Sequence, residues 1–233
     1  MIFNIITLFP EIFPGPLNHS LSGKALNENK LQIITYDLRK FSKFKNKKVD
    51  DTPFGGGPGM IIRADIVQNA LDFVKKTTRK PKTIFLSPGG KTLCQKKIRE
   101  IVNFKDMIII CGRYEGIDQR FLDHNKIEEI SIGDYILSGG ELAAIILIDT
   151  CVRLIPEVLG NNKSLINESF ENNLLEYPQY TKPRVWKNLS VPEPLLSGNH
   201  ELIKEWRDNE AKKKTKLIRP DLWKKYIDFK EKK

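Results

Sequence analysis

The sequence has few of the residues that form disulfide bonds or bind structural metals. It contains three cysteines, Cys94, Cys111 and Cys151, in 233 residues, and no two of them form a C-x-x-C pair. The three histidines lack the spacing of zinc ligands. These absences exclude a small disulfide-stabilised scaffold and disfavour a structural metal site. Three well-separated cysteines instead predict buried, unreactive thiols in a reducing cytosol.

Long apolar segments are also missing. The longest uninterrupted apolar run covers residues 142–148, whereas a membrane-spanning helix needs about 20 such residues. The first segment, MIFNIITLFPEIF, has no basic n-region and no small-residue cleavage site, so it predicts a buried strand and not a signal peptide. We therefore expect no contact with membranes and a cytoplasmic location.

Positive charge is in excess. The chain has 39 Lys and Arg against 29 Asp and Glu, a formal net charge of +10, and 40% of its residues are hydrophobic. The hydrophobic content is enough to build a full core at this length. The charge favours a polyanionic partner, with nucleic acid the first expectation.

Apolar runs alternate with helical patterns along the first two thirds of the chain. Runs of this length without polar alternation are typical of strands buried on both faces of a parallel sheet. The alternation predicts an α/β fold. The predicted strands cover residues 2–8, 31–36, 83–86 and 107–111, and the predicted helices cover 61–76, 91–103 and 141–155.

Composition changes after residue 160. Residues 161–175 are rich in Asn, Glu and Ser and predict an interdomain linker, between an α/β domain (1–160) and a small, basic, all-helical domain (176–233). Asn199 or Ser197 is expected to cap a helix that ends near residue 214, and a second helix is expected after Pro220.

Glycines cluster at five places, around residues 55–59, 89–90, 112–116, 133 and 139–140. Glycine turns at strand ends allow a ligand to approach the backbone closely. A P-loop is excluded because position 85 is Phe, and a dinucleotide fingerprint is excluded because its last glycine falls on Met60. Simple turns remain the alternative for any single cluster.

Several strings of the sequence resemble one family over essentially the whole chain. They are VDDTPFGGGPGM (49–60), CGRYEGID (111–118), SIGDYILSGGE (131–141), EYPQYTKP (176–183) and LLSGNHELIKEWR (195–207). In this order they resemble the bacterial tRNA (guanine-N1-)-methyltransferases of the TrmD type, which belong to the SPOUT superfamily.

This resemblance implies a parallel α/β sheet with a deep trefoil knot near residues 85–140, and a homodimer with active sites at the subunit interface. It implies that S-adenosylmethionine donates a methyl group to N1 of guanosine 37, in tRNAs with guanosine at position 36. The product, 1-methylguanosine, maintains the reading frame. The resemblance also implies which residues bind the donor: Leu86, Ser87, Pro88, Gly112, Tyr114, Glu115, Gly116, Ile132, Gly133, Asp134, Tyr135, Ile136, Leu137, Gly139 and Gly140.

Two residues match the catalytic positions of that family. Glu168 stands where the family has an Asp that removes the N1 proton, and Arg153 matches an active-site Arg that stabilises charge at guanine O6. Without the resemblance, Glu168 is a solvated loop residue, and Arg153 forms an i, i+4 ion pair with Asp149.

The remaining implied roles concern metal and tRNA. Glu115 has three open roles: a ligand of Mg²⁺, a counter-charge for the donor's sulfonium, or a structural hydrogen bond. Residues 39–48 hold six Lys or Arg, and both this run and the basic residues near 212–216 suit RNA phosphates or a solvated surface. The residues expected to contact tRNA are Asp50, Gly57, Gly59, Met60, Lys182, Lys212 and Lys213.

Two other functions remain open at this point. One is a SPOUT methyltransferase that acts on another RNA. The other is an RNA-binding homologue whose catalysis is impaired by the Asp-to-Glu change at position 168.

Overall fold

The computed structural model describes residues 1–158 and 168–231. The chain divides into two compact units, Met1–Gly160 and Asn161–Lys233, and each is described separately. Among the described residues, no helix has both the length and the apolar character needed to cross a membrane.

A five-stranded sheet forms the centre of the first unit. Its strands are β1 (Ile2–Thr7), β2 (Gln32–Asp37), β5 (Lys82–Thr92), β6 (Asp106–Cys111) and β7 (Glu128–Ser131). Its order is β2-β1-β6-β5-β7, and all four strand pairings are parallel, which confirms the predicted α/β class. Five of the six residues in β1 and in β6 are buried, as expected for strands covered on both faces.

Helices cover both faces of this sheet. Helices α1 (Ser20–Asn27), α3 (Gln95–Ile101) and α5 (Gly140–Val152) share one apolar core with it, and α2 (Ala64–Thr77) and α4 (Gln119–Asn125) share the other. Helix α5 is apolar nearly all round and contributes nine buried residues, so it is the central helix that its sequence predicts.

In the first unit, three predicted helix boundaries lie three or more residues from the observed ones. Ile61–Ile62 pair with Asp50–Asp51 as the short strands β4 and β3, so α2 begins later than residue 61. Residues 91 and 92 extend β5, which delays the start of α3 to Gln95. Helix α5 ends at Val152, and Arg153 is its C-cap. The helix therefore stops three residues before the predicted end at Ile155, ahead of Pro156.

The second unit contains α6 (His200–Ile218) and α7 (Pro220–Glu231). Asn199 caps α6 through its Oδ1, which accepts hydrogen bonds from the amides of Glu201 and Leu202. The helix continues beyond residue 214 because no breaker precedes Pro220. The unit is not all-helical, since Val185–Trp186 (β8) pairs with Leu189–Ser190 (β9).

A two-residue turn joins these two strands. Lys187 and Asn188 both have positive φ angles, as in the tight turns that favour β-hairpins.

The described part of the predicted linker is attached to the second unit. The amide of Leu175 donates to Thr215 Oγ1 at 2.8 Å, and Glu176, the residue directly after the predicted linker, accepts from Lys214 Nζ through its carbonyl at 3.1 Å. Residues 161–167 of that linker lie outside the described residues.

Candidate active site

A cavity of about 280 Å³ lies at the carboxyl ends of β6 and β7 and beside residues 85–88 of β5, where the pairing of β5 with β7 is interrupted. Ligands of parallel α/β sheets bind at this edge, because the loops that follow neighbouring strands converge there. Of the fifteen residues expected to bind the donor, fourteen line the cavity and Asp134, which is exposed, does not. The fourteen are Leu86, Ser87, Pro88, Gly112, Tyr114, Glu115, Gly116, Ile132, Gly133, Tyr135, Ile136, Leu137, Gly139 and Gly140.

Six further residues, which were not among those expected to bind the donor, also line the cavity. They lie on β5, on β7, in the loop between β7 and α5, on α5 itself and, in the case of Arg113, inside a motif that was already recognised. Its position between two predicted residues was the signal that could have identified it. The six are Phe85, Arg113, Ile130, Ser131, Ser138 and Ala143.

Two of the glycines allow the loops to approach one another. The amide of Gly140 donates to the carbonyl of Gly112 at 2.9 Å, and a Cβ on Gly140 would lie 2.9 Å from Cys111 Cα. A Cβ on Gly139 would overlap the side chain of Arg113. Side chains at these two positions would therefore push the loop after β6 away from the start of α5.

A buried carboxylate, that of Glu141, lies next to the same two loops. Glu141 is 1% exposed, and its Oε1 accepts a hydrogen bond from Thr7 Oγ1 at 2.7 Å. Its Oε2 lies 2.9 Å from Arg113 Nε. Within the described residues neither of these last two atoms has a hydrogen bond of good geometry, so the contact is an ion pair.

The guanidinium of Arg113 connects this carboxylate to the cavity wall. It lies over the ring of Phe9 at 4.4 Å, and its Nη1 donates to the carbonyl of Ser138 at 3.1 Å. Arg113 thus links the loop after β6 to the loop before α5.

The loop after β7 forms an apolar wall of the cavity, and hydrogen bonds within the loop hold its backbone. Tyr135 Oη donates to the carbonyl of Ile132 at 3.1 Å, and Ser131 Oγ both donates to the carbonyl of Gly133 and accepts from its amide. Tyr135 is 52% exposed and Ile136 is 81% exposed. These side chains are therefore not ordinary core, and they are available to a flat ring bound against this loop.

The glycine-rich loop at residues 55–59 meets this cavity at Glu115. The amide of Glu115 donates to the carbonyl of Met60 at 3.0 Å, and a Cβ on Gly59 would overlap the Glu115 carboxylate. Asp50 lies on β3, which pairs with β4 directly after Met60. Asp50, Gly59 and Met60, three of the residues expected to contact tRNA, thus lie near this edge of the cavity. Gly57 is exposed on the glycine-rich loop.

No group of three or more His, Cys, Asp or Glu side chains in the described residues could hold a metal ion. A Mg²⁺ ion at Glu115 would have to take its other ligands from water or substrate, as Mg²⁺ often does.

Two of the three cysteines are buried, and Cys94 is exposed, so the expectation of three buried thiols was wrong for Cys94. Burial raises the pKa of the Cys111 thiol well above its usual range and that of the Cys151 thiol to about 12. Both buried thiols are therefore un-ionised near neutral pH.

The two expected catalytic residues belong to different units. Arg153 caps α5 in the first unit, and Asp149, its proposed ion-pair partner, accepts a hydrogen bond from Ser22 Oγ at 2.9 Å. Glu168 lines a cavity of about 610 Å³ within the second unit.

The basic residues expected to contact tRNA differ in their surroundings. Lys212 is ion-paired with Asp208, which raises the pKa of its ammonium, and Lys213 is paired with Glu210 at 2.7 Å. Lys182 is exposed and lines a cavity of about 470 Å³ in the second unit.

In the basic run at 39–48, the two phenylalanines contact protein side chains. Phe41 packs on Phe73 with ring centres 5.5 Å apart, and the guanidinium of Arg63 lies 4.9 Å above the ring of Phe44. The lysines at positions 43, 45 and 47 of this run are exposed.

The chain is similar to known proteins over nearly its whole length. The model of a family described as tRNA (Guanine-1)-methyltransferase TrmD matches residues 1–225. A tRNA (guanine-N(1)-)-methyltransferase of Pelagibacter ubique is 52% identical over 222 residues, which are 95% of this chain and 96% of that protein. Proteins with the same description from Anaplasma phagocytophilum and Zymomonas mobilis are 50% and 51% identical, each over 96% of this chain and over 96% and 90% of their own lengths.

Proposed function

The chain belongs to the tRNA (guanine-1)-methyltransferase family, and on that premise we propose that it methylates N1 of guanosine 37 in tRNAs with guanosine at position 36. S-Adenosylmethionine is the proposed methyl donor. One observation carries the proposal: the motifs CGRYEGID (111–118) and SIGDYILSGGE (131–141), on which the family resemblance rests, both contribute to the lining of a single cavity, although they are separated in sequence.

The chemistry of the cavity suits this donor. A cavity of about 280 Å³ is close to the lower end of the size range of small-molecule sites. The exposed faces of Tyr135 and Ile136 offer an apolar slot for adenine. Glu115 provides the negative charge that a sulfonium requires nearby.

The reaction needs a base and a cation. N1 of guanine carries a proton and is a weak nucleophile until that proton leaves, and Glu168 is the proposed acceptor. Arg153 is proposed to stabilise the negative charge that develops on O6. The N1 lone pair then forms a bond to the methyl carbon as the carbon–sulfur bond breaks, which leaves 1-methylguanosine and S-adenosylhomocysteine.

The proposal includes a homodimer and a knotted donor site. Leu142 and Ile146 are four residues apart on α5 and are 53% and 43% exposed, so they form an apolar face suited to a second copy of the chain. The knot is proposed from membership of the family, and the sheet order, in which β7 pairs with β5 on the side opposite β6, is compatible with it.

The test is transfer of labelled methyl groups to unmodified tRNA transcripts. One transcript carries guanosine at positions 36 and 37, and its matched control carries adenosine at position 37. We expect label in the first transcript only, with a reverse-transcription stop at position 37, because N1-methylation blocks Watson–Crick pairing. Equal labelling of both transcripts would contradict the target position, and no labelling of either would contradict the activity.

A further inference from the structure

The second unit contains a cavity that carries positive charge and aromatic rings. It has a volume of about 470 Å³. Among the twelve described residues that line it, three are cationic, Lys182, Arg184 and Arg207, two are aromatic, Tyr177 and Tyr180, and none is acidic. We refer to it as the basic cavity. Such a lining suits a ligand with both a negative charge and a flat ring.

The two rings of the basic cavity are held in defined positions. The guanidinium of Arg207 lies 5.0 Å from the ring centre of Tyr177. Tyr180 packs edge-on against Trp206, with ring centres 6.0 Å apart, and is still 48% exposed. Trp206 therefore supports Tyr180 and leaves much of its surface open for stacking.

The cavity that contains Glu168 adjoins the basic cavity. Both are lined by Tyr177, Ile203 and Arg207. The two linings differ in charge, since the Glu168 cavity is lined by five acidic residues and by only two residues that are Lys or Arg. A phosphate is therefore favoured in the basic cavity and repelled from its neighbour.

The lysines of α6 are weaker candidates for phosphate contacts. Lys212 and Lys213 are both paired with acidic side chains of the same helix. An RNA phosphate would have to displace those carboxylates, whereas Lys182 and Arg184 line a cavity with no acidic side chain.

We propose that the basic cavity binds one nucleotide of the RNA substrate, and so brings an adjoining nucleotide beside Glu168. Arg184 and Lys182 contact its phosphate, and Tyr180 stacks on its base. Base–aromatic stacking and cationic side chains are the usual means of binding single-stranded RNA. This inference rests on the proposed function, because it assigns a subsite to the same RNA substrate.

The experiment measures binding of the tRNA transcript with guanosine at positions 36 and 37 to the full-length protein, at several salt concentrations. Arg184→Gln removes one cation, and Lys225→Gln is its matched control, since Lys225 is exposed on α7 and does not line the basic cavity. Tyr180→Leu removes the stacking surface, and Tyr180→Phe keeps a ring. Thermal unfolding and affinity for S-adenosylhomocysteine are measured for every variant.

We expect Arg184→Gln to weaken tRNA binding and to reduce the slope of log affinity against log salt by about 0.7 to 0.9, as for one lost phosphate contact. Lys225→Gln should leave that slope unchanged. Tyr180→Leu should weaken tRNA binding by about 5- to 100-fold, and Tyr180→Phe should restore most of the loss. Affinity for S-adenosylhomocysteine should not change in any variant.

The outcomes separate the two proposals. If the wild type neither binds nor methylates the transcript, the proposed function fails. If the wild type does both, but Arg184→Gln behaves like Lys225→Gln and Tyr180→Leu binds like Tyr180→Phe, the basic cavity is not an RNA subsite.

Discussion

Nε of Arg113 lies 2.9 Å from Oε2 of Glu141, beneath the loops that line the donor cavity. The carboxylate is 1% exposed, and its second oxygen is occupied by Thr7 of β1. Arg113 continues the connection to the carbonyl of Ser138. Together these contacts join a central strand, the loop after β6 and the start of α5.

Replacing Glu141 with Gln should disturb both folding and donor binding. The amide still accepts a hydrogen bond from Thr7, but the Arg113 guanidinium loses its buried counter-charge. We expect a loss of about 3 kcal/mol in the free energy of unfolding, with weaker binding of S-adenosylhomocysteine. Denaturant unfolding and isothermal titration calorimetry measure the two effects.

Asn4→Ala is the control for this variant. Asn4, which lies on β1, is buried like Glu141 and donates to the carbonyl of Met107 at 3.2 Å. It does not line the cavity. Its loss should destabilise the fold by about 1–3 kcal/mol without weakening donor binding. Wild-type donor affinity in Glu141→Gln would show that the ion pair supports only the fold.

Gly140→Ala should damage the donor cavity by steric overlap. The added Cβ would meet the backbone of Cys111 and Gly112 at 2.9 and 3.0 Å, and backbone cannot move aside as a flexible side chain can. We expect at least a tenfold weaker affinity for S-adenosylhomocysteine, about 1.4 kcal/mol, measured by calorimetry.

Gly198→Ala provides the comparison. Gly198 has a φ of +70° and open space around it, so alanine there introduces backbone strain of about 1 kcal/mol in the second unit. It should leave donor affinity unchanged. If the two variants bind the donor equally well, close approach at Gly140 is not needed for the site.

The site could be predicted from sequence where its residues are local to recognisable motifs. The family resemblance implied fifteen donor-binding residues, and the fold brings fourteen of them into one cavity. Strand β7 was missed because two of its four residues are Glu128 and Glu129. Glu128 is accommodated at the sheet edge by Lys82, whose Nζ lies 2.6 Å away, and only tertiary structure places these residues together.

The link between Arg113 and Glu141 was beyond sequence reasoning for a similar reason. The residues are far apart in the chain, and each lies in a motif that was interpreted through its glycines. Their contact depends on Gly139, where a side chain would overlap Arg113. A glycine that makes room for a side chain has the same sequence signal as one that makes a turn.

Glu168→Gln should abolish the proposed proton transfer while leaving the donor site intact. An amide cannot accept the N1 proton, so the methylation rate should fall by about 10²- to 10⁴-fold. Glu168 does not line the donor cavity, so affinity for S-adenosylhomocysteine should be unchanged.

Glu168→Asp is the comparison variant, because it keeps the carboxylate and introduces the residue that the family resemblance implies at this position. It should retain substantial activity in single-turnover assays with the tRNA transcript. A Glu168→Gln enzyme as fast as the wild type would contradict the assignment of the base.

The three cysteines should differ in reactivity. Cys94 is exposed, whereas Cys111 and Cys151 are buried and un-ionised. A thiol reagent at pH 8 should therefore modify one thiol per native chain and three per unfolded chain. Modification of Cys94→Ser by the reagent under native conditions would contradict the burial of the other two.

The same burial predicts how stability depends on pH. Because the folded pKa values of Cys111 and Cys151 are raised, unfolding exposes thiols that ionise near pH 8.5, while the folded state keeps them neutral. Below that pH the two thiols do not change the free energy of unfolding, because they are protonated in both states. Above it, each thiol lowers the free energy of unfolding by up to about 1.4 kcal/mol per pH unit. Denaturant unfolding between pH 7 and 10 should show this loss in the wild type. A Cys111→Ala/Cys151→Ala variant should show a smaller slope, and an equal slope would mean that other groups cause the loss.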